Sequence, residues 1–148
     1  MKNLFFLIVG LALIFGSFFL FFERALEEKQ IQTIRINDVS IRAEIADTQA
    51  ARSQGLSHRW VLKDGTGMLF VFDSPSRYGI WMKNMNFPID IVWIDEEFRI
   101  AGIEKSVSPE TFPEIFYPDN PIKYALELPA GFLDTQGIGA GAIVHFED

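Results

Sequence analysis

Polar and aromatic residues within one apolar stretch, residues 80–95 (IWMKNMNFPIDIVWID), have the chemistry of a ligand site. Trp81 offers a flat surface for stacking, Lys83 a cation for an anionic group, and Asp90 a carboxylate that can orient a polar ligand. Asn84 lies between the two apolar runs, where its short amide side chain favours a turn. The stretch therefore predicts a binding site built on two strands and the turn between them.

The alternation of side chains along this stretch predicts which of them share a face. Every second side chain of an extended strand points to the same side, so Trp81 and Lys83 share one face. The same rule places Asp90 on the apolar face of the next strand. Because a buried carboxylate is costly unless it is paired, we expect Asp90 to contact a cation. The candidates are Lys83, Arg52 and Arg59.

A purely structural interpretation explains the same pattern without a ligand. Aromatic residues at a period of two are typical of a core, so Trp81 and Trp93 can both pack inside the domain. An internal ion pair between Asp90 and Lys83 would then hold the hairpin together. The two interpretations differ in whether the charges face a ligand or each other.

The chain from residue 31 onward predicts a mainly β domain. Alternation on both sides of the Asn37-Asp38 turn predicts a hairpin over residues 31–45. Thr48 can cap a short helix over residues 49–54, and Gly55 can end it in a left-handed conformation. Further strands are expected at residues 67–73, 79–83, 89–95, 98–105, 122–129 and 141–147.

The connections between these strands complete the expected architecture. Residues 108–121 hold four of the seven prolines in the chain, which predicts a long loop. Residues 130–136 (AGFLDTQ) predict one helical turn. Many short strands separated by turns indicate a small sandwich or barrel-like domain with one short helix.

The chain begins with a predicted membrane anchor. Residues 4–22 (LFFLIVGLALIFGSFFLFF) carry no charge, and at about 1.5 Å per residue they span roughly 28 Å, close to the hydrocarbon thickness of a bilayer. A cleaved signal peptide is the alternative, but its apolar core is usually about 7–15 residues and a small-residue cleavage site follows it. We expect residues 1–22 to be an uncleaved signal anchor, residues 23–30 a charged stalk, and residues 31–148 the folded domain.

The flanks of this run predict its orientation. Lys2 and the N-terminal amine precede the run, whereas the acid-rich segment ERALEEK follows it. The positive-inside bias therefore points the N-terminus to the cytoplasm and places the domain outside. The expected location is the cell membrane, in a single-pass topology, with the lipid bilayer as the partner of residues 4–22.

Composition excludes several kinds of chemistry. The chain has no cysteine, so it has no disulfide, thiolate metal site or thiol nucleophile. A net charge of −7 argues against binding nucleic acid, since phosphate recognition needs clustered Lys and Arg. His58 and His145 are the only histidines and have no partner four residues away, so we expect no metal site and no cofactor.

Four segments together resemble a known family. They are RSQGLSHR (52–59), GMLFVFD (67–73), IWMKNMNFPIDIVWID (80–95) and YALELPAG (124–131). In this order and spacing they resemble the bacterial and archaeal family called domain of unknown function 192, over roughly residues 35–148. The resemblance implies a small, mainly β domain that is often exported, with no established reaction.

The resemblance also implicates particular residues in a site. They are Arg52, Gly55, Gly67, Trp81, Met82, Lys83, Asn84, Asp90 and Glu127. The chain departs from the family pattern at Met85, where threonine is common, and at Ser57-His58, where the pattern favours methionine and a bulky residue. The first departure removes a hydroxyl group from the expected site.

Two functions are compatible with these residues. The first is a non-catalytic binding module for a small molecule or cell-envelope component, because no activated nucleophile or metal set is found. Its ligand-binding residues would be Arg52, Trp81, Lys83, Asn84, Asp90 and Glu127. The alternative is a carboxylate-dependent enzyme acting on an envelope polymer or small metabolite, with Asp90 and Glu127 as an acid–base pair. Against the enzyme, strand alternation explains Glu127 as a solvated or ion-paired residue.

We predict that protease added to intact spheroplasts removes the domain at residues 31–148, because the charges flanking residues 4–22 orient it away from the cytoplasm. Immunoblotting against the domain measures its loss. Full protection until the spheroplasts are lysed would place the domain in the cytoplasm and contradict the predicted orientation.

Overall fold

The computed structural model describes residues 30–147. The predicted anchor at residues 4–22 and all but the last residue of the predicted stalk lie outside the described residues. Within the described part of the chain, no helix is long and apolar enough to cross a membrane.

Nine strands and two short α-helices make up the described residues. The strands are β1 (Ile31–Ile36), β2 (Val39–Ala46), β3 (Thr66–Ser76), β4 (Ile80–Trp81), β5 (Ile89–Ile94), β6 (Ile100–Val107), β7 (Ile115–Phe116), β8 (Ile122–Pro129) and β9 (Val144–Glu147). The helices are α1 (Gln49–Gln54) and α2 (Phe132–Gln136). The mainly β prediction is confirmed, and a second short helix stands where the sequence predicts a single helical turn.

Seven of the strands form one sheet that curls into a half-barrel, in the order β6-β5-β8-β3-β2-β1-β9. The two edges of the sheet approach each other where β6 and β9 begin. The Val144 N–H donates to the Phe98 carbonyl at 2.8 Å, and the Ile100 N–H donates to the Ala142 carbonyl at 2.9 Å. Of the two architectures that the sequence predicts, a sandwich or a barrel-like domain, the structure has the barrel-like one. Strands β4 and β7 form a separate two-stranded sheet.

The first hairpin and helix form where the sequence predicts them. Asn37 adopts a left-handed φ of 54° in the turn between β1 and β2, as Asn tolerates well. The Thr48 hydroxyl accepts from the Ala51 N–H at 3.1 Å, and Gly55 ends α1 at a φ of 51°. Helix α1 connects β2 to β3, and these two strands pair in parallel, which the sequence pattern does not predict.

The proline-rich loop is not wholly irregular. Its residues Ile115–Phe116 form β7, which pairs with β4 and packs against Gly79. A Cβ at Gly79 would lie 2.4 Å from Ile115 Cγ2 and 2.6 Å from a ring carbon of Tyr117. Because only glycine leaves room for this approach, Gly79 lets the loop cover β4. The loop thereby holds Trp81 in place at the end of β4.

Apolar side chains cover both faces of the sheet. On β5, Ile89, Ile91 and Trp93 belong to one core cluster, whereas Val92 and Ile94 belong to the other. All six residues of β5 are buried. The predicted division of this strand into two faces is confirmed, and Asp90 lies on the face of Val92 and Ile94.

Asp90 is fully buried, and backbone N–H groups satisfy its carboxylate. Oδ1 accepts from Ser106 at 2.8 Å and from Gly131 at 3.1 Å, and Oδ2 accepts from Leu133 at 2.9 Å. The expectation that a cation neutralises Asp90 was therefore wrong. Gly131 precedes α2 and has no side chain to cap it, so Asp90 supplies the cap from a distant strand. The carboxylate thereby joins β5, β6 and α2.

We predict that Asp90→Ala lowers the free energy of unfolding by about 3 kcal/mol or more, because it leaves three N–H groups without their acceptor. Urea unfolding of the detergent-purified chain measures this. Lys83→Met is the matched control and should cost under about 1 kcal/mol, since Lys83 is exposed and loses only a surface contact. An equal loss from Lys83→Met would show that Lys83 neutralises Asp90 after all.

Candidate functional site

A pocket of about 380 Å³ opens between α1, β3 and β4, a volume suited to a small ligand. We call it the α1–β4 pocket. Four of its lining residues are aromatic: Phe70, Phe72, Tyr78 and Trp81. Its other lining residues include two cations, Arg52 and Lys83, and one buried acid, Glu127. Among the predicted site residues, the pocket thus brings together Arg52, Trp81, Lys83 and Glu127.

Glu127 lies on β8 within an apolar face of the sheet. Its neighbours across the two adjacent strands are Met68 and Ile91, both buried. The residue is only 5% exposed, and its Oε2 atom has no hydrogen-bond partner among the described residues. The expectation of a solvated or ion-paired residue was wrong, because β8 is a central strand whose two faces are both covered. An unpartnered buried carboxyl is costly, so its position on a pocket wall points to a function.

Burial raises the pKa of Glu127 to about 8, and the attraction of the Arg59 guanidinium opposes this only in part. Arg59 is engaged elsewhere, since it donates to both carboxylate oxygens of Glu44 at 2.7 and 2.6 Å. At pH 7 the protonated form of Glu127 is therefore the major one. A protonated carboxyl can donate a hydrogen bond, so Glu127 has the chemistry of a neutral donor at neutral pH.

Trp81 and Lys83 lie together at the pocket, on the face that alternation predicts. Trp81 is 49% exposed and Lys83 is exposed, whereas their neighbours Ile80 and Met82 are buried. The Lys83 Nζ atom lies 5.4 Å from the centre of the Trp81 ring, within the range of a cation–π contact. Across residues 30–147, no carboxylate forms an ion pair with Lys83. Its charge is therefore available to an anionic group.

The turn that carries Lys83 is fastened to the segment after α1. The Ser57 hydroxyl donates to the Lys83 carbonyl at 3.1 Å, and the His58 N–H donates to the Asn84 carbonyl at 2.8 Å. The Asn86 side chain donates to the Arg59 carbonyl at 2.8 Å. Asn84 adopts a left-handed φ of 58°, a conformation that Asn accepts more readily than most residues. In the structure Asn84 shapes this turn and does not line the pocket.

Arg52 lines the pocket and also fixes the position of α1. Its guanidinium donates to the carbonyls of Asp47 and Val71, the second at 2.8 Å. It lies 5.8 Å from the centre of the Phe72 ring and 3.5 Å from the Asp73 carboxylate. Because most of its N–H groups already donate to the protein, Arg52 has fewer hydrogen-bond donors left for a ligand than Lys83 does.

Asp90 and Glu127 lie on opposite faces of the sheet. Asp90 pairs across the strands with Leu128, whereas Glu127 pairs with Ile91, and paired residues share a face. The predicted acid–base pair of Asp90 and Glu127 is therefore ruled out, since the two carboxyls cannot reach one substrate. Asp90 does not line the α1–β4 pocket.

Several residues near the site do not appear among the predicted ones. Phe72 and Tyr78 stack at 3.8 Å between ring centres, with 5° between their planes, and both line the pocket. Tyr78 lies two residues before the stretch at residues 80–95, but one tyrosine before a glycine gives no sequence signal for a pocket wall. In the described part of the chain, no three His, Asp or Glu side chains converge as a metal site would require.

Two solved structures share this fold. One comes from Sinorhizobium meliloti 1021 and is described as a proposed transcription regulator. It has a TM-score of 0.75 and 26% identity, and the match covers 80% of this chain and 95% of that chain. The other is a protein of unknown function from Novosphingobium aromaticivorans DSM 12444, with a TM-score of 0.76, 27% identity, and coverage of 81% and 88%.

The sequence comparison gives the family. No curated protein matches the chain significantly. The model of the DUF192 family, described as "Uncharacterized ACR", matches residues 32–146. This range contains the whole seven-stranded sheet except its first residue, Ile31, and its last residue, Glu147. The match agrees with the resemblance carried by the four segments of the sequence. The chain belongs to the DUF192 family.

Proposed function

We propose that the chain is a membrane-anchored protein whose domain, outside the cytoplasm, binds a small molecule or a cell-envelope component in the α1–β4 pocket. One observation carries the binding proposal: Glu127 lines a pocket of ligand size with a buried carboxyl whose Oε2 atom has no hydrogen-bond partner among the described residues. A core built only for stability would hold an apolar residue there, since Met68 and Ile91 flank the position. The uncharged run at residues 4–22 supports the anchor.

The lining of the pocket indicates the chemistry of its ligand. The half-exposed ring of Trp81 suits a flat or ring-shaped face of the ligand. The protonated carboxyl of Glu127 suits an acceptor such as a carbonyl or ether oxygen. Lys83 suits an anionic group at the mouth, because no acid of the described residues engages it. We therefore propose a ligand that carries an anionic group, a ring and an acceptor oxygen.

An enzyme that uses Glu127 alone is the second candidate. A carboxyl with a pKa of about 8 inside a pocket has the properties of a general acid. From the described residues, the pocket supplies no obvious nucleophile or second acid–base group for such an enzyme. The nearby Ser57 hydroxyl donates to the Lys83 carbonyl, and the Asp90 carboxylate lies on the other face of the sheet. Binding therefore requires fewer additional groups than catalysis does.

The proposed transcription regulator from Sinorhizobium meliloti does not lead to a nucleic-acid function for this chain. A net charge of −7 repels a phosphate backbone, and contact with phosphates needs a concentration of cations. The proposed function therefore remains the binding of a small molecule or cell-envelope component in the α1–β4 pocket.

We predict that a thermal-shift screen of ring-bearing carboxylates and envelope-derived sugar acids finds a ligand that stabilises the detergent-purified chain. Lys83→Met should weaken that ligand about tenfold or more, because it keeps the aliphatic stem and removes the charge. Glu127→Leu should weaken it similarly, whereas Glu127→Gln keeps a donor and should retain most of the affinity. Lys105→Met is the matched control, since Lys105 pairs with Asp134 away from the pocket.

A ligand that binds all these variants equally would place its site elsewhere and contradict the proposal. A different result would support the second candidate, an enzyme that uses Glu127. A compound that the wild-type chain consumes, and that Glu127→Gln binds but leaves intact, would show that Glu127 transfers a proton.

A further inference from the structure

The segment between α1 and β3 exposes apolar side chains. Trp60 is 84% exposed and Val61 is 65% exposed. Ile31, the first residue of β1, is 47% exposed and lines the same shallow pocket as Val61. We call Ile31, Trp60 and Val61 the Trp60 surface. Two adjacent apolar side chains this exposed are typical of a surface that contacts something apolar.

Two cations lie beside Ile31 and Val61 of the Trp60 surface. Arg42 and Lys63 line the shallow pocket together with Ile31 and Val61. Within residues 30–147, neither cation forms an ion pair with a carboxylate. The acid of that pocket, Glu44, is held by Arg59 in a two-pronged ion pair. Trp60 adjoins this pocket in sequence, between Arg59 and Val61. An exposed tryptophan next to a pocket lined by such cations has the chemistry of a membrane–water interface, where indole rings lie among headgroups and cations reach phosphates.

The position of this surface along the chain identifies the occupant. Ile31 follows the last residue of the uncharged run, Phe22, by nine positions. The intervening residues 23–30 span about 12 Å if helical and at most about 27 Å if extended. The bilayer that would hold residues 4–22 is therefore the apolar phase nearest to the start of β1, and the Trp60 surface lies beside that start.

We propose that the Trp60 surface docks onto the bilayer in which the chain is anchored. Trp60 and Val61 enter the headgroup region, and Arg42 and Lys63 face lipid phosphates. The net charge of −7 by itself opposes contact with an anionic surface, so the docking depends on these apolar side chains and local cations and on the nearby anchor. The contact fixes the orientation of the domain relative to the membrane. This inference depends on the anchor in the proposed function, but it is independent of the ligand in the α1–β4 pocket.

Quenching of tryptophan fluorescence by brominated lipid tests the docking. The full chain is reconstituted into vesicles of phosphatidylcholine and phosphatidylglycerol with brominated acyl chains, and flotation confirms that it is bound. The chain has three tryptophans, of which Trp93 is buried, so Trp60 and Trp81 are the exposed ones. We expect strong quenching in the wild-type chain, most of which is lost in Trp60→Phe and retained in Trp81→Phe.

The other outcomes separate the inference from its premise. A chain that floats with the vesicles but shows no quenching has its anchor and a domain held away from the bilayer, which overturns the docking alone. Quenching lost in Trp81→Phe and kept in Trp60→Phe would show that the mouth of the α1–β4 pocket faces the lipid, which also overturns it. A chain that does not float has no anchor, which overturns both the docking and the membrane part of the proposed function.

Discussion

A strand covered on both faces keeps its polar side chains from water, so each of them is costly unless it finds a partner inside the protein. β5 and β8 are neighbouring strands of this kind, and each carries one acid. Asp90 on β5 receives three backbone N–H groups and thereby joins two strands to α2. Glu127 on β8 leaves Oε2 without a partner among the described residues. This contrast separates a carboxylate that stabilises the fold from the carboxyl that we propose a ligand contacts.

The two cations of the α1–β4 pocket differ in the same way: one is bound to the protein and the other is not paired with an acid of the described residues. Arg52 donates to the carbonyls of Asp47 and Val71, so it mainly holds α1 against the sheet. The Lys83 ammonium lies over the Trp81 ring and forms no ion pair within residues 30–147, and the backbone of its turn is fastened to the segment after α1. A fixed backbone holds the unpaired charge of Lys83 near the pocket before a ligand arrives, which favours recognition. Lys83 and Glu127 are therefore the residues of the pocket on which we expect affinity to depend.

Local patterns in the sequence predict local structure well in this chain. The Asn37-Asp38 turn, the Thr48 cap and the shared face of Trp81 and Lys83 each depend on residues close together in the sequence, and each is found. The two-residue strand β7 depends on pairing with β4 and on the absence of a Cβ at Gly79, so no local pattern reports it.

The errors concern partners that are distant in the sequence. Asp90 was expected to need a cation, but its donors are the N–H groups of Ser106, Gly131 and Leu133, which carry no side-chain signature. For Glu127, alternation gives the face of β8 correctly but does not reveal that this face is covered. Whether a face is covered depends on the order of strands in the sheet, which local alternation does not reveal.

The dependence of stability on pH tests most directly whether Glu127 is buried without a partner. Because its pKa rises from 4.5 to about 8 on folding, the folded state keeps a proton that the unfolded state loses in this pH window. Stability therefore falls as the pH rises through the window, by an amount on the order of 5 kcal/mol from this group. Glu127→Gln removes the titration, and Glu104→Gln, on the edge strand β6 of the same sheet, is the matched control.

The measurement is urea unfolding of the wild-type chain and both variants at intervals from pH 5 to pH 9. We predict that Glu127→Gln gains several kcal/mol of stability relative to wild type as the pH rises, while the difference between Glu104→Gln and wild type changes much less. A difference between Glu127→Gln and wild type that stays constant across this range would show that the carboxyl is charged and satisfied in the folded protein, and would contradict the account of the pocket.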